Sequence, residues 1–259
     1  MNNDLVSIVM PAYNAGPFID QAIGSVRGQT WAEWELLVVD DGSSDDTVAQ
    51  VARHAAQDAR VRLLHSGGQC GPARARNLAI AASRGRYIAF LDSDDAWLPA
   101  KLERQVAAMR TQGALLCYTS YYKMDRDGRR GDTPILARPW VDHGLLLKSN
   151  FIGCLTAIYD AGALGRVPMP DIRKRQDLAL WLLLTRRIAA EFGPCRDKVL
   201  GLPEPLALYR EHTGTVSSDK KNAAAWQWKL YREVVGLGRL RAAYYFAHYA
   251  VRGLAKYLK

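Results

Sequence analysis

In the N-terminal part of the chain, short apolar runs alternate with stretches whose apolar positions recur at helical spacing. Residues 6–10 (VSIVM) form the first run, stopped by Pro11 and a loop that carries Asn14, Gly16 and Pro17. Phe18, Ala22, Ile23 and Val26 then follow the spacing of one helix face. Residues 36–39 make a second apolar run, ending in Asp40-Asp41-Gly42-Ser43-Ser44. Asp45 or Asp46 is a suitable cap for a helix carrying Val48, Val51, Ala52 and Ala55. A third run at 61–64 leads through Gly67, Gly68, Gly71 and Pro72 into a small-residue helix over 73–83. A fourth at 87–91 ends in Asp92-Ser93-Asp94-Asp95. Strand–helix alternation at this pace predicts an α/β fold with a mostly parallel sheet and helices on both faces. Ligands of such sheets sit beyond the carboxyl ends of the strands, and both acidic clusters fall there.

Farther on, the pattern predicts a helix over 101–110, a strand near 115–121 and a turn at Asp125-Arg126-Asp127-Gly128. Residues 139–176 are irregular, with a strand at 155–159, before a strongly apolar helix over 178–189. A short strand and another at 207–210 come next, and from about residue 220 two helices are broken near 236–238. No repeat or low-complexity linker interrupts the chain.

Composition narrows the class. Charged residues at 24% and hydrophobic ones at 49% of 259 describe an ordinary globular chain. The apolar stretches near 178–184 and 242–251 fall short of the roughly 18 uninterrupted residues that span a bilayer. The N-terminus runs directly into the first strand, so a cytoplasmic protein is expected. Cys70, Cys117, Cys154 and Cys195 form no CxxC pair, which favours reduced thiols over a structural zinc or a disulfide framework. A formal charge of +9 implies anionic partners: nucleotides, phospholipids or nucleic acid.

A lone DxD carries little information, because 19 aspartates in 259 residues give about 1.4 such pairs by chance. Two occur. Asp125/Asp127 sits in a turn-forming stretch, whereas Asp92/Asp94 follows the strand-forming run YIAFL, which would fix its carboxylates at a rigid edge. A hard divalent cation takes one or two carboxylates together with phosphate oxygens. The bland alternative for both acidic clusters is helix capping. For Asp40-Asp41 the functional alternative is that one of the two carboxylates accepts hydrogen bonds from a pyrimidine N–H or a ribose hydroxyl. The glycines at 67–71 do not spell a dinucleotide fingerprint, and nearby Arg74 and Arg76 are either surface cations or groups that meet a diphosphate or base.

Taken together, VSIVMPAYNA, ELLVVDDGSSDDT, GPARARNLAIAASRGRYIAFLDSDDAW, RQDLALWLLL and LALYREHTGTVSSDK resemble the family 2 glycosyltransferases, inverting enzymes of the GT-A fold. The match runs in order over residues 5–220, and the chain resembles bacterial capsule, lipopolysaccharide and teichuronic-acid sugar transferases. The resemblance implies that Pro11, Ala12, Tyr13 and Asn14 line a nucleotide pocket. It implies that Asp41 bonds the base with help from Arg76, and that Asp92 faces ribose or metal with Ser93 in the same donor-binding set. Asp94 would ligate Mn2+ or Mg2+, with Asp92 and His212 completing the metal set, and His212 on a loop that orders with donor. Asp177 matches the catalytic base. The donor implied is a nucleotide-diphosphate sugar, UDP-linked, and the acceptor a saccharide or lipid-linked saccharide. Gln176 stands where the family usually has Glu, and Ala79 where it often has Gly. From the residues alone Asp177 could equally cap the apolar helix that follows it. As a base it would remove the acceptor's proton in a single inverting displacement, since no second carboxylate suggests a covalent intermediate.

On this reading residues 1–218 form the catalytic domain, about 1–98 binding nucleotide and 99–218 binding acceptor, and 219–259 a C-terminal helical extension. Residues 226–259 hold seven Lys/Arg, one acid (Glu233) and eight aromatics, including Trp226, Trp228, Tyr244, Tyr245, Phe246 and Tyr249. Such helices settle on anionic bilayers, which would place the protein at the inner face of the cell membrane. The alternatives are packing on the domain or in a homodimer. A nucleotidyltransferase on a similar scaffold is the competing enzyme class. A nucleic-acid binder is disfavoured, because the basic residues follow no known motif and acids crowd the expected cleft.

Overall fold

The computed structural model describes residues 4–212 and 222–255. The expected boundary at 218/219, the end of the LALYREHTGTVSSDK motif, and Lys256 and Lys259 of the tail lie outside those residues. In chain order the elements are β1 (Val6–Ala12), α1 (Ile19–Arg27), β2 (Trp34–Asp40), α2 (Thr47–Gln57), β3 (Val61–His65), α3 (Pro72–Ala82), β4 (Tyr87–Phe90), β5 (Ala96–Trp97) and α4 (Lys101–Gln112). Then follow β6 (Leu116–Met124), β7 (Arg130–Ile135), α5 (His143–Lys148), β8 (Ile158–Asp160), α6 (Ala161–Leu164), α7 (Gln176–Glu191), α8 (Cys195–Lys198), β9 (Val199–Arg210), α9 (Ala223–Lys229) and α10 (Arg239–Ala255).

One sheet runs β3-β2-β1-β4-β8-β6-β9-β5, with β7 added on β6. Its first four strands are parallel, in register from Val6 against Trp34 and Tyr87. Beyond β4 the sheet becomes mixed, because β8 runs antiparallel to both β4 and β6. Side chains along each parallel strand alternate between two buried layers. Ile8, Met10, Leu36, Val38 and Ala89 pack with α1, α2 and α4, while Val9, Leu37, Val39, Ile88 and Phe90 pack with α3, α5 and α7. Burial on both faces is why these strands read as unbroken apolar runs rather than alternating ones. Buried Glu35 of β2 ties neighbouring strands together, accepting hydrogen bonds from Ser7 Oγ (2.7 Å), the Arg84 amide (2.7 Å) and Arg62 (3.1 Å) at the edge opposite the acidic clusters.

Three expected elements differ in detail. The strand at 155–159 opens as a 3-10 turn, Cys154–Thr156, and only then extends as β8. The two short strands expected before residue 211 are one, β9, whose pairing with β6 shifts register near Ser120. The strand expected to end near residue 121 runs on to Met124 and turns through Asp125–Gly128 into β7, with Gly128 at a φ of 85° and the Arg129 amide donating to Asp125 Oδ1 at 2.8 Å. The second DxD is therefore turn chemistry. The C-terminal helices lie against the α5–α7 layer: Leu230, Tyr231 and Ala242 are fully buried and join its core. No helix among the described residues is long and apolar enough to cross a membrane.

Candidate active site

The order β3-β2-β1-β4 reverses direction at β1, which opens a crevice between the loops that leave β1 and β4. The β1 loop is fixed to the β2 loop by short polar contacts. Asn14 adopts a left-handed φ of 48°, its amide donates to Ser43 Oγ (3.0 Å), and its Oδ1 accepts from the Ser44 amide (2.9 Å). Thr47 Oγ1 accepts from the Ala15 amide (2.8 Å), and Asp45 accepts from the Gly16 amide (3.0 Å). Asp45, not a capping Asp46, thus organises the start of α2, and it does so by joining two loops.

The paired acids after β2 divide their work. Asp40 closes its own turn by accepting from the Gly42 and Ser43 amides at 3.2 and 3.1 Å. Asp41 reaches across to the glycine loop, where it accepts from the Cys70 and Gly71 amides, both at 2.9 Å, and from the Cys70 thiol at 3.0 Å. Burial alone would raise the Asp41 pKa, but these hydrogen bonds outweigh it and hold the carboxyl below its usual value. Asp41 is therefore an anion that shapes one wall of the cleft.

After β4 three carboxylates stand within four residues, each with its own partner. Arg76, buried on α3, donates to Asp92 Oδ1 at 2.5 Å and reaches Gln176 Oε1 at 3.5 Å. Burial opposes the Arg76 charge but the neighbouring Asp92 carboxylate prevails, so its pKa rises. Asp94 Oδ2 lies 3.0 Å from His212 Nε2, and burial together with the Asp92 charge raises its pKa. Asp95 accepts from the Arg210 amide at 2.8 Å, and its pKa is pushed well up by burial and by Asp94. Arg210, which is 2% exposed, also donates to the Asp94, Asp125 and Arg126 carbonyls. Sequence reasoning missed both Asp95 and Arg210. The only signal was the fourth residue of DSDD and the arginine of YREH.

Asp177 lies in the first turn of α7 and does not cap it: the residue at the cap is Arg175, with a φ of 70° and no side-chain hydrogen bond to the helix end. The Asp177 carboxylate instead accepts from Asn150 Nδ2 at 2.9 Å, a partner that nothing in the sequence marked. Pro11, Ala12, Tyr13, Asn14, Asp41, Arg76, Asp92, Ser93, Asp94, Asp177 and His212 all line one cleft of about 1860 Å³. Asp94 and His212 are in direct contact. Asp92 is drawn toward Arg76, so no ready-made group of three His, Cys, Asp or Glu ligands occurs among the described residues. Arg74 pairs with Asp171 at 2.8 Å, outside the acidic centre.

The model of glycosyl transferase family 2 matches residues 7–164, which include both acidic clusters and most of the sheet. The chain belongs to this family. The enzyme is a glycosyltransferase with the GT-A fold. It is 37% identical over 254 residues to a putative teichuronic acid biosynthesis glycosyltransferase, TuaG, of Bacillus subtilis, covering 98% of each chain. It is 36% identical over 260 residues to the UDP-Glc:alpha-D-GlcNAc-diphosphoundecaprenol beta-1,3-glucosyltransferase WfgD of Escherichia coli, covering 99% of this chain and 96% of WfgD. Among solved structures it resembles S. aureus TarS 1-349 in complex with UDP-GlcNAc (TM-score 0.70, 18% identity, 97% of this chain and 73% of that one). It also resembles the mannosyltransferase PcManGT of Pyrobaculum calidifontis in complex with GDP-Man and Mn2+ (TM-score 0.64, 18% identity, 93% and 69%).

Proposed function

We propose that this glycosyltransferase is an inverting enzyme of surface-polysaccharide synthesis, moving a sugar from a UDP-sugar to a hydroxyl of a lipid-linked saccharide. The observation that carries the reading is the placing of Asp41, Asp94 and Asp177 around one cleft, on three separate elements. Residues 11–14 and Asp41 form the wall for the nucleotide, and Asp92 and Ser93 the floor beneath its ribose and diphosphate. Asp177 faces the same space from α7 and takes the proton of the acceptor hydroxyl as that oxygen attacks the anomeric carbon. Asn150 fixes the carboxylate's rotamer. A single base and a single displacement invert the anomeric centre.

The donor set suits a hard divalent cation. Asp94 and His212 are in direct contact, Asp92 stands two residues away where Arg76 holds it, and burial and the Asp92 charge raise the Asp94 pKa. Asp94, Asp92 and His212 would hold Mn2+ or Mg2+, the ion that the mannosyltransferase neighbour binds as Mn2+. When bound, it neutralises the donor diphosphate and stabilises charge on the leaving group. Arg76 keeps Asp92 oriented. Incubation with a panel of nucleotide sugars is expected to release UDP from a UDP-sugar. Pyrophosphate release would instead favour a nucleotidyltransferase, and release from GDP- or dTDP-sugars alone would overturn the choice of nucleotide.

The WfgD name and the outer face of α10 support this acceptor class. Leu240, Tyr244 and Val251 are exposed along one stripe of this helix, and no acid occurs after Glu233. An apolar stripe flanked by Arg239 and Arg241 suits an anionic bilayer surface. The full-length protein is expected to float with vesicles rich in anionic lipid, and the Leu240→Glu/Val251→Glu variant to float at least about fivefold less. Equal flotation of both forms would remove the bilayer from this reading.

A further inference from the structure

Arg76 is committed to Asp92, and the acidic floor is matched to an ion. Yet the turn before α7 carries Arg173, Lys174 and Arg175 in succession, and all three line the cleft beside Asp177. The acids that flank Arg173 and Arg175 are already engaged: Asp171 pairs with Arg74, and Asp177 accepts from Asn150. Neither Arg173 nor Arg175 has a carboxylate partner among the described residues. We infer that this basic turn, with the hydroxyl of Tyr249, binds a phosphate or diphosphate group carried by the acceptor.

Three observations converge on it. First, the turn directly precedes the proposed base at the start of α7, whereas the nucleotide wall is built by residues 11–14, 41 and 69–71. Second, Arg175 donates to the Tyr249 oxygen at 2.7 Å and its guanidinium lies 5.4 Å from that ring's centre. The oxygen accepts this bond, which leaves the Tyr249 O–H as a donor beside the Arg175 guanidinium, a pairing suited to phosphate oxygens. Third, Arg175 holds a φ of 70°, and the one other non-glycine residue with positive φ among those described is Asn14, on the nucleotide wall. Strained backbone of this kind persists where surrounding structure fixes it, and here both instances border the cleft. Tyr249 also belongs to α10, so the helix whose outer stripe suits a bilayer contacts the phosphate turn with its inner face. A lipid-linked acceptor would thus meet lipid-facing and phosphate-binding groups on one element. The inference rests on the lipid-linked reading of the acceptor given above, and it adds the site that holds the phosphate.

The test uses the full-length protein and decyl diphosphate, with decyl maltoside as the uncharged control. Arg175→Asn is chosen because asparagine tolerates the left-handed backbone, and thermal melting verifies that each variant is folded. In calorimetry, Arg173→Ala/Arg175→Asn should weaken decyl diphosphate binding by at least about tenfold, while UDP affinity stays within about twofold; Tyr249→Phe should cost about fivefold. Decyl maltoside should bind equally to all forms. Unchanged decyl diphosphate affinity, or no binding by the native chain, would overturn the site, as would an equal loss of UDP affinity, which would assign the cations to the donor. Loss of flotation on anionic vesicles without loss of decyl diphosphate affinity would assign them to phospholipid headgroups and overturn it too. Failure of UDP-sugar turnover in the native chain would strike the proposed function and leave this binding result separately readable.

Discussion

Asp177→Asn is expected to bind UDP-sugar as the native enzyme does and to transfer sugar on the order of 10³-fold more slowly. The substitution is nearly isosteric, and its carbonyl oxygen can still accept from Asn150 Nδ2, so the first turn of α7 and the cleft keep their shape. What disappears is the ability to take a proton from the acceptor as its oxygen attacks. A general base contributes about 10² to 10⁴ in rate, and none of the other acids lining the cleft is free to replace it. Asp41 is held by the glycine loop, Asp92 by Arg76, Asp94 by His212, Asp95 by the Arg210 amide and Asp171 by Arg74. The measurement is single-turnover transfer alongside donor affinity by calorimetry. Native-like turnover would remove Asp177 from the mechanism. A loss confined to donor affinity would move it to the donor site.

Asp94→Ala should abolish the dependence of donor binding on Mn2+. With the cation the native enzyme is expected to bind UDP-sugar about 10²-fold more tightly than in chelator, roughly the few kcal/mol that a Lewis acid supplies to a diphosphate. The variant should bind equally weakly in both conditions. Three carboxylates close together, two of them with pKa values raised by burial and mutual repulsion, form an environment that the protein's own charges leave incompletely compensated. Arg76 and Arg210 offset part of it, and His212 touches Asp94. Calorimetry with and without Mn2+ decides: retention of a metal effect in Asp94→Ala would mean that the cation is held elsewhere.

Much of the site was legible because the strands that carry it are short, buried on both faces and followed at once by polar loops. Asp40-Asp41 and Asp92–Asp95 stood out as acids at the carboxyl ends of apolar runs, a position that topology alone makes a ligand edge. The division of labour within each cluster was not legible. Asp40 and Asp41 are chemically identical, and only the path of the glycine loop makes one a turn residue and the other a wall. The capping alternative for Asp177 likewise failed through backbone conformation, since Arg175 occupies the cap position with a positive φ. Asn150 and Arg210 lie 27 and 115 residues from their partners Asp177 and Asp95, beyond any local pattern.

By itself the sequence determined the parallel half of the sheet, the edge at which ligands gather and the helices that sheathe both faces, because hydrophobic periodicity is a local property of the chain. Tertiary structure alone decided which acid is matched to which partner, how β9 closes the mixed half, and that α9 and α10 pack into the α5–α7 layer with one stripe left outward. Those outcomes depend on contacts between residues far apart in sequence, whose energies exist only once the sheet has brought them within hydrogen-bonding range.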